Sequence, residues 1–160
     1  MLKGIPSIIS PELLKILMEM GHGDELVIGD GNFPGHSVNK NCIRCDGHGV
    51  PELLEAILNL FPLDTYQKPV YIMDKVKGDN AETPIWDKYA EIIKQYTDEK
   101  IEKIERFEFY ARAKKAYAVV MSGETAIYAN VILKKGVVSY DDLSIDKETD
   151  MFADKQEIRL

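Results

Sequence analysis

SPELLKILMEMGHGDELVIGDGNFPG, running from Ser10 to Gly35, contains a helix, a polar loop, a buried strand and a second polar loop in succession. Ser10 caps the helix, Pro11 occupies its first turn, and Glu12 complements the positive end of the helix dipole. Leu13, Leu14, Leu17 and Met18 recur at the spacing of one apolar helical face. Gly21 is a natural stop. Glu25 to Gly29 (ELVIG) reads as a short buried strand, and an acid follows it at Asp30.

The same alternation continues outward. Asn41 to Cys45 predicts a strand, and Pro51 opens a second helix with Leu53, Leu54, Ile57, Leu58 and Phe61 as its stripe. Pro69 to Val76 predicts the next strand. Thr83-Pro84 starts a third helix, with Ile85, Tyr89, Ile92, Ile93 and Tyr96 on its buried side. Lys103 to Arg106 reads as a short strand, Phe107 to Lys115 as a short helix and Ala116 to Met121 as a strand. Ser122-Gly123-Glu124 is a turn, and Asn130 to Leu133 is the last strand. Interleaved strands and helices imply an α/β domain in which helices cover a sheet. PELLKIL and PELLEAIL look like a repeat, but both are simply proline-started amphipathic helices.

The chain has 160 residues, enough for one domain around one core, and its hydrophobic content of 45% suits a globular protein. A formal net charge of -7 disfavours nucleic acid and an anionic membrane surface. No apolar run approaches the roughly 20 residues that span a bilayer. Met1 to Ser10 lacks the apolar core of a secretory signal. With only Cys42 and Cys45 as thiols, these features point to the cytoplasm. From Ser139 to Leu160 the periodicity weakens, and seven acids face three bases. The expected division is a domain over 1–138 and an acidic tail over 139–160, either solvated or docked through Met151, Phe152, Ile158 and Leu160.

Several residues could carry chemistry. His22, between two glycines, lies on a loop after the negative end of a helix and before Asp24 and Glu25, a position that suits a proton donor. The competing role is a cap on the last helix carbonyls. Asp30 ends a buried strand, where α/β sheets gather ligands, and a carboxylate there can accept sugar hydroxyls. Its competing role is a turn aspartate bonding its own backbone. Arg106 and Tyr110 share a helical face, continued by Lys114. A cation beside a phenol favours the phenolate, and such a tyrosine can exchange protons. Tyr128 and Asn130 point the same way if the chain is extended there, placing a ring for a sugar face beside an amide for its hydroxyls. The competing role is decoration of an edge strand. Asp64 follows a helix end and is unremarkable taken alone.

Cys42, Cys45 and His48, with His36 nearby, imitate part of a metal site. A closed zinc site takes four ligands, usually as two separated pairs, and cysteines three apart on a strand face opposite ways. No metal is therefore expected. Neither a Walker loop nor GxGxxG is present.

Taken together and in order, SPELLKILMEMGHGDE, DGNFPGHS, IRCDG, PELLEAIL, LFPLDTY, IERFEFYARAKKAYAVV and SGETAIYANVILKKGV resemble the L-fucose mutarotase family, a sister of D-ribose pyranase, from about Leu2 to Val137. The resemblance implies a three-layer α/β/α sandwich with a mixed sheet. It implies acid–base interconversion of the ring forms of a free monosaccharide, most directly the anomers of L-fucose, with no cofactor. It places His22 as proton donor, Asp64 and Tyr110 at catalytic positions, and Asp30, Met73, Arg106, Tyr128 and Asn130 at sugar-contacting ones. It also implies a homo-oligomer, from dimer to decamer, whose site a neighbouring subunit completes. Ala129 stands where fucose mutarotases carry glycine and the ribose enzymes alanine, which puts a methyl close to the sugar. D-ribose pyranase and a sugar-binding protein without catalysis are the alternatives.

Overall fold

The computed structural model describes residues 2–139. The tail expected after Ser139 lies outside the described residues. In chain order the elements are α1 (Pro11–Glu19), β1 (Glu25–Gly29), α2 (Gly35–Val38), β2 (Cys42–Cys45) and α3 (Val50–Leu58). There follow β3 (Val70–Met73), α4 (Ile85–Ile93), β4 (Glu102–Ile104), α5 (Arg106–Lys115), β5 (Ala118–Ser122) and β6 (Val131–Lys134).

The strands form one six-stranded sheet in the order β2-β5-β1-β6-β3-β4. β2, β5 and β1 pair in parallel, as do β3 and β4, while β6 runs antiparallel to both β1 and β3. The sheet is therefore mixed, and the C-terminal ends of five parallel strands share one edge with the start of β6. That edge is where ligands collect in such sheets.

Alternation along each strand builds two cores. Leu26, Ile28, Ala118, Val120, Val131 and Leu133 face α1, α3 and α4, where Leu13, Leu54, Ile57, Tyr89 and Ile93 meet them. Val27, Val119, Ile132 and Tyr71 face the other way, against Phe109 and Ala113 of α5. Strands covered on both faces read as continuous apolar runs, which is why ELVIG and AYAVV were legible without a polar face. The result is the three-layer α/β/α sandwich.

The structure departs from expectation at four places. Met18, expected on the apolar face of α1, is 78% exposed, and Ile16 is buried in its stead. Arg106 is not in a strand: β4 ends at Ile104, and the Glu105 side chain accepts the N–H groups of Phe107 and Glu108, so Arg106 opens α5. Gly35–Val38 forms a helix of one turn, too short for apolar periodicity to announce it. Tyr128 adopts a left-handed backbone (φ 56°), so the chain is not extended between Tyr128 and Asn130. β6 lies inside the sheet, which removes edge decoration as a role for these residues.

Candidate active site

The expected site residues fall into two clusters at opposite ends of the sheet. At the C-terminal edge of the parallel strands, Asp30, Asn32, Phe33, Met73, Val76, Asp79, Arg106, Tyr110, Ile127, Tyr128 and Asn130 line a cavity of about 310 Å3. That volume is near the lower end of the roughly 300–1,000 Å3 usual for ligand pockets, as suits a single sugar ring.

Asp30 follows β1 and is buried beside Asn130. The two form a reciprocal pair: the Asn130 amide donates to Asp30 Oδ2 at 3.0 Å, and the Asp30 N–H donates to Asn130 Oδ1 at 2.9 Å. Asp30 Oδ1 also accepts the Asn32 N–H at 2.9 Å, so the turn role and the pocket role coexist. Burial pushes the Asp30 carboxyl above its ordinary pKa, and the bonds from Asn32, Asn130, Phe33 and Ala129 offset this only in part.

Arg106, at the first turn of α5, lines the cavity with its Nε buried and no protein hydrogen-bond partner among the described residues. An orphaned buried donor costs about 1–3 kcal/mol, more when charged, so an acceptor supplied by a ligand is worth that much here. Tyr110, one turn on, stacks on Phe33 with ring centroids 5.6 Å apart and planes 16° apart. Phe33 in turn meets Phe109 edge-on at 5.9 Å. Lys114 is exposed and does not reach the cavity, so the α5 face that serves the site ends at Tyr110.

Tyr128 is held from both ends. Its carbonyl accepts the Trp86 indole N–H at 2.8 Å, and its hydroxyl donates to Asp79. The next carbonyl, of Ala129, accepts the Tyr89 hydroxyl at 2.8 Å. These bonds hold a left-handed conformation that costs a non-glycine residue roughly 1–2 kcal/mol. The Ala129 methyl, expected close to the sugar, does not line the cavity. Ala129 is fully buried in the core under α3 and α4, on the far side from the cavity, because alternation turns it away from Asn130. Asp79, Phe33, Val76 and Ile127 were not singled out from the sequence. Only Gly78, with φ 89°, marks the Asp79 loop as a tight turn.

The second cluster lies at the other end of β1. His22 Nε2 is 3.4 Å from Asp64 Oδ1, and its ring tilts against Tyr66 at 5.6 Å. Both loops dock on the end of β6. Gly23 donates to the Lys135 carbonyl at 2.8 Å, Asp64 to that of Lys134 at 3.0 Å, and Gly136 to that of Pro62 at 2.8 Å. A Cβ at Gly136 would sit 2.3 Å from the Leu63 carbonyl oxygen, so only glycine allows the crossing that places Asp64.

The capping role goes to Lys135, not His22. The Lys135 ammonium donates to the Leu17 and Met20 carbonyls at 2.7 and 2.6 Å, which leaves the imidazole for other work. The neighbouring acids are occupied as well: Asp24 accepts the Gly21 N–H at 2.7 Å, and Glu25 pairs with Arg112. The carboxylate that meets His22 is therefore Asp64.

Burial opposes the Asp64 charge, but the Tyr66 N–H, His22 and Lys134 together hold its pKa below the ordinary carboxylate value. The native state thus binds the Asp64 proton less tightly than the unfolded chain. The stabilisation is complete above the unfolded pKa of about 3.9 and is lost as pH falls through the lower folded value. Denaturant midpoints between pH 2 and 6 are expected to show this acid loss in the wild type and a weaker one in Asp64→Asn. Parallel curves would remove Asp64 from the acid response.

Between the two clusters lies β1, five residues long. At about 3.3 Å per residue this is some 17 Å, far beyond a single proton transfer on one sugar ring. Within one chain, then, the fold brings Asp30, Met73, Arg106, Tyr110, Tyr128 and Asn130 together, and His22 with Asp64, but not the two groups with each other. Cys42 packs on one face of the sheet and Cys45 on the other, and among the described residues no group of three or more His, Cys, Asp or Glu side chains could hold a metal ion. Nor is any described helix long and apolar enough to cross a membrane.

Residues 3–138 match the RbsD/FucU transport protein family. The chain belongs to that family. Among RbsD/FucU members, the fucose mutarotase of Danio rerio is 57% identical over 145 residues, covering 86% of this chain and 94% of its own. The crystal structure of the Streptococcus pneumoniae fucose mutarotase in complex with L-fucose superposes with a TM-score of 0.82 at 51% identity, covering 86% of this chain and all (100%) of that one. Bacillus subtilis RbsD complexed with D-ribose superposes with a TM-score of 0.64 at 24% identity, covering 87% of this chain and 100% of its own, and shares the fold.

Proposed function

We propose that this chain is a mutarotase that interconverts the α and β anomers of L-fucose by acid–base ring opening and closing. The observation that carries the reading is the cavity at the sheet edge, where the buried Arg106 Nε has no acceptor among the described residues, in a chain 51% identical to a protein crystallised with L-fucose. Asp30 and Asn130 offer acceptors and donors to sugar hydroxyls, and Arg106 supplies the charge-assisted bond. Phe33, Met73, Val76 and Ile127 form apolar wall that suits the C6 methyl of a 6-deoxy sugar, a group ribose lacks. The Ala129 methyl, being in the core, is no argument for ribose.

Opening a hemiacetal removes the proton of the anomeric hydroxyl, protonates the ring oxygen and frees an aldehyde that rotates before reclosure. The reaction is a relocation of protons and requires neither metal nor redox cofactor. In this mechanism Tyr110, inside the cavity, acts on the anomeric hydroxyl. His22, held through one ring nitrogen by Asp64, serves the ring oxygen, and Asp64 positions the imidazole without touching the sugar. Because β1 separates the clusters, His22 comes from a partner subunit. Exposed apolar side chains at both ends support such an assembly: Met18 (78% exposed) and Tyr66 (76%) near His22, and Phe107 (67%) and Ile127 (52%) near the sugar pocket. This mechanism implies a homo-oligomer, and the free Cys42 and Cys45 thiols support a cytoplasmic location.

Exchange NMR of anomeric protons tests the reading. The protein is expected to accelerate α/β exchange of L-fucose and to leave D-ribose near its spontaneous rate. Acceleration of ribose alone would make it a pyranase, and binding of fucose without acceleration would make it a sugar-binding protein.

A further inference from the structure

We propose that Asp79 is a positioning residue of the sugar pocket. By engaging the Tyr128 hydroxyl, it fixes the Tyr128 ring as the pocket wall and ties the rim loop from Asp74 to Glu82 across the mouth. This inference rests on the mutarotase reading of the same cavity.

The one proton of the Tyr128 hydroxyl goes to Asp79 Oδ2, and its oxygen accepts the Val76 N–H at 3.4 Å. The hydroxyl therefore has no proton left to donate to a sugar, and the Tyr128 side chain meets the cavity as a wall held from its far end. The ring's direction is not set by regular structure, because Tyr128 lies before β6 in a left-handed conformation. Its carbonyl is anchored by Trp86, and among the described residues its hydroxyl is hydrogen-bonded by the rim loop alone.

The loop is built to deliver that anchor. Asp74 donates its N–H to the Ile104 carbonyl at 2.8 Å, which ties the start of the loop beside Arg106. The Asp79 N–H donates to the Val76 carbonyl at 2.9 Å, closing a tight turn through Gly78 at φ 89°. Asp79 Oδ1 accepts the Ala81 N–H at 2.9 Å, and the Lys75 ammonium donates to the Ala81 carbonyl at 3.1 Å. One carboxylate thus organises its own loop with one oxygen and the pocket wall with the other. Val76 and Asp79 both line the cavity, so a loop released at Asp79 loosens the sugar's walls on that side.

The test compares Asp79→Ala, Asp79→Asn, Tyr128→Phe and the Asp79→Ala/Tyr128→Phe double variant with the wild type. Anomer exchange is measured across a range of L-fucose concentrations, and amide hydrogen exchange over residues 74–82 is measured without sugar. A lost hydrogen bond of ordinary strength weakens fucose binding roughly five- to ten-fold. Asp79→Ala is expected to raise KM by that factor while kcat stays within about two-fold. Asp79→Asn should recover most of the loss, since its amide oxygen still accepts the hydroxyl. Tyr128→Phe should lose affinity by no more than Asp79→Ala, which also frees the loop's own bond to Ala81, and the double variant should add nothing beyond Asp79→Ala, the signature of one shared interaction. Loop amides should exchange faster in Asp79→Ala and Tyr128→Phe than in Asp79→Asn.

Unchanged KM in Asp79→Ala overturns the proposal. So do additive losses in the double variant, which would mean that the Tyr128 hydroxyl binds sugar directly, or a fall in kcat at constant KM. If the wild type itself does not accelerate fucose exchange, the mutarotase reading fails. The amide exchange data then judge the latch on their own, with equal rates in all four variants overturning it.

Discussion

Replacing His22 with alanine is expected to remove the acceleration of fucose anomer exchange while the protein stays folded and still binds the sugar. A positioned general acid is worth about 10² to 10⁴ in rate, so exchange should fall to near its spontaneous value. Binding should survive because Asp30, Arg106 and Asn130, which we propose hold the sugar hydroxyls, lie at the far end of β1 from the substituted residue. The fold should survive because His22 is half exposed on a loop whose anchors are backbone bonds from Gly23 and Asp24 and the Lys135 cap. Exchange NMR together with a fucose titration reads both quantities. An unchanged rate would take His22 out of the mechanism. Lost binding with an unchanged rate at saturation would make it a sugar ligand instead of an acid.

The second large effect is recovery, not loss. His22→Ala and Tyr110→Phe should each be inactive alone. Tyr110→Phe keeps the ring that stacks on Phe33 and removes only the hydroxyl. When the two variants are co-expressed and purified as mixed oligomers, some sites combine an intact His22 from one subunit with an intact Tyr110 from the next. Random assembly of equal amounts makes about a quarter of the sites complete, so about a quarter of wild-type exchange activity should return. No recovery in oligomers verified to be mixed would mean that each chain carries its own whole site. The 17 Å or so of β1 argues strongly against that outcome.

Much of the fold was legible because the local signals are strong. Ser10-Pro11 and Pro51 start helices by satisfying or removing early N–H groups, and the buried strands are apolar runs with no competing helical period. The expectations that failed did so for one local and one long-range reason. The Glu105 cap moved Arg106 from strand to helix, and a chain with no partner in view gave no sign that Tyr128 would turn left-handed. The left-handed turn depends on Trp86 and Tyr89, forty or more residues away, meeting the carbonyls of Tyr128 and Ala129.

The site was legible only in pieces. Arg106 and Tyr110 could be paired because one helical turn brings residues four apart to the same face. Asp30 could be suspected because a strand ends there. That Asp64 rather than Asp24 or Glu25 meets His22 was invisible, since it depends on both loops docking on β6. Asp79 carried no signal beyond the turn that Gly78 marks, because its bond to Tyr128 exists only once the rim loop crosses to it.

The order of amino acids by itself determined which of the longer segments are helix and strand, that the strands are covered on both faces, and which polar residues stand near their ends. Those properties follow from caps, periodicity and burial within a few residues of chain. Tertiary structure alone decided that the polar residues divide into two groups, because only the sheet order sets β6 antiparallel between β1 and β3 and so assigns each loop to an end. The length of a strand, a property of the assembled sheet, is what separates the His22–Asp64 pair from the cavity at Asp30 and Asn130.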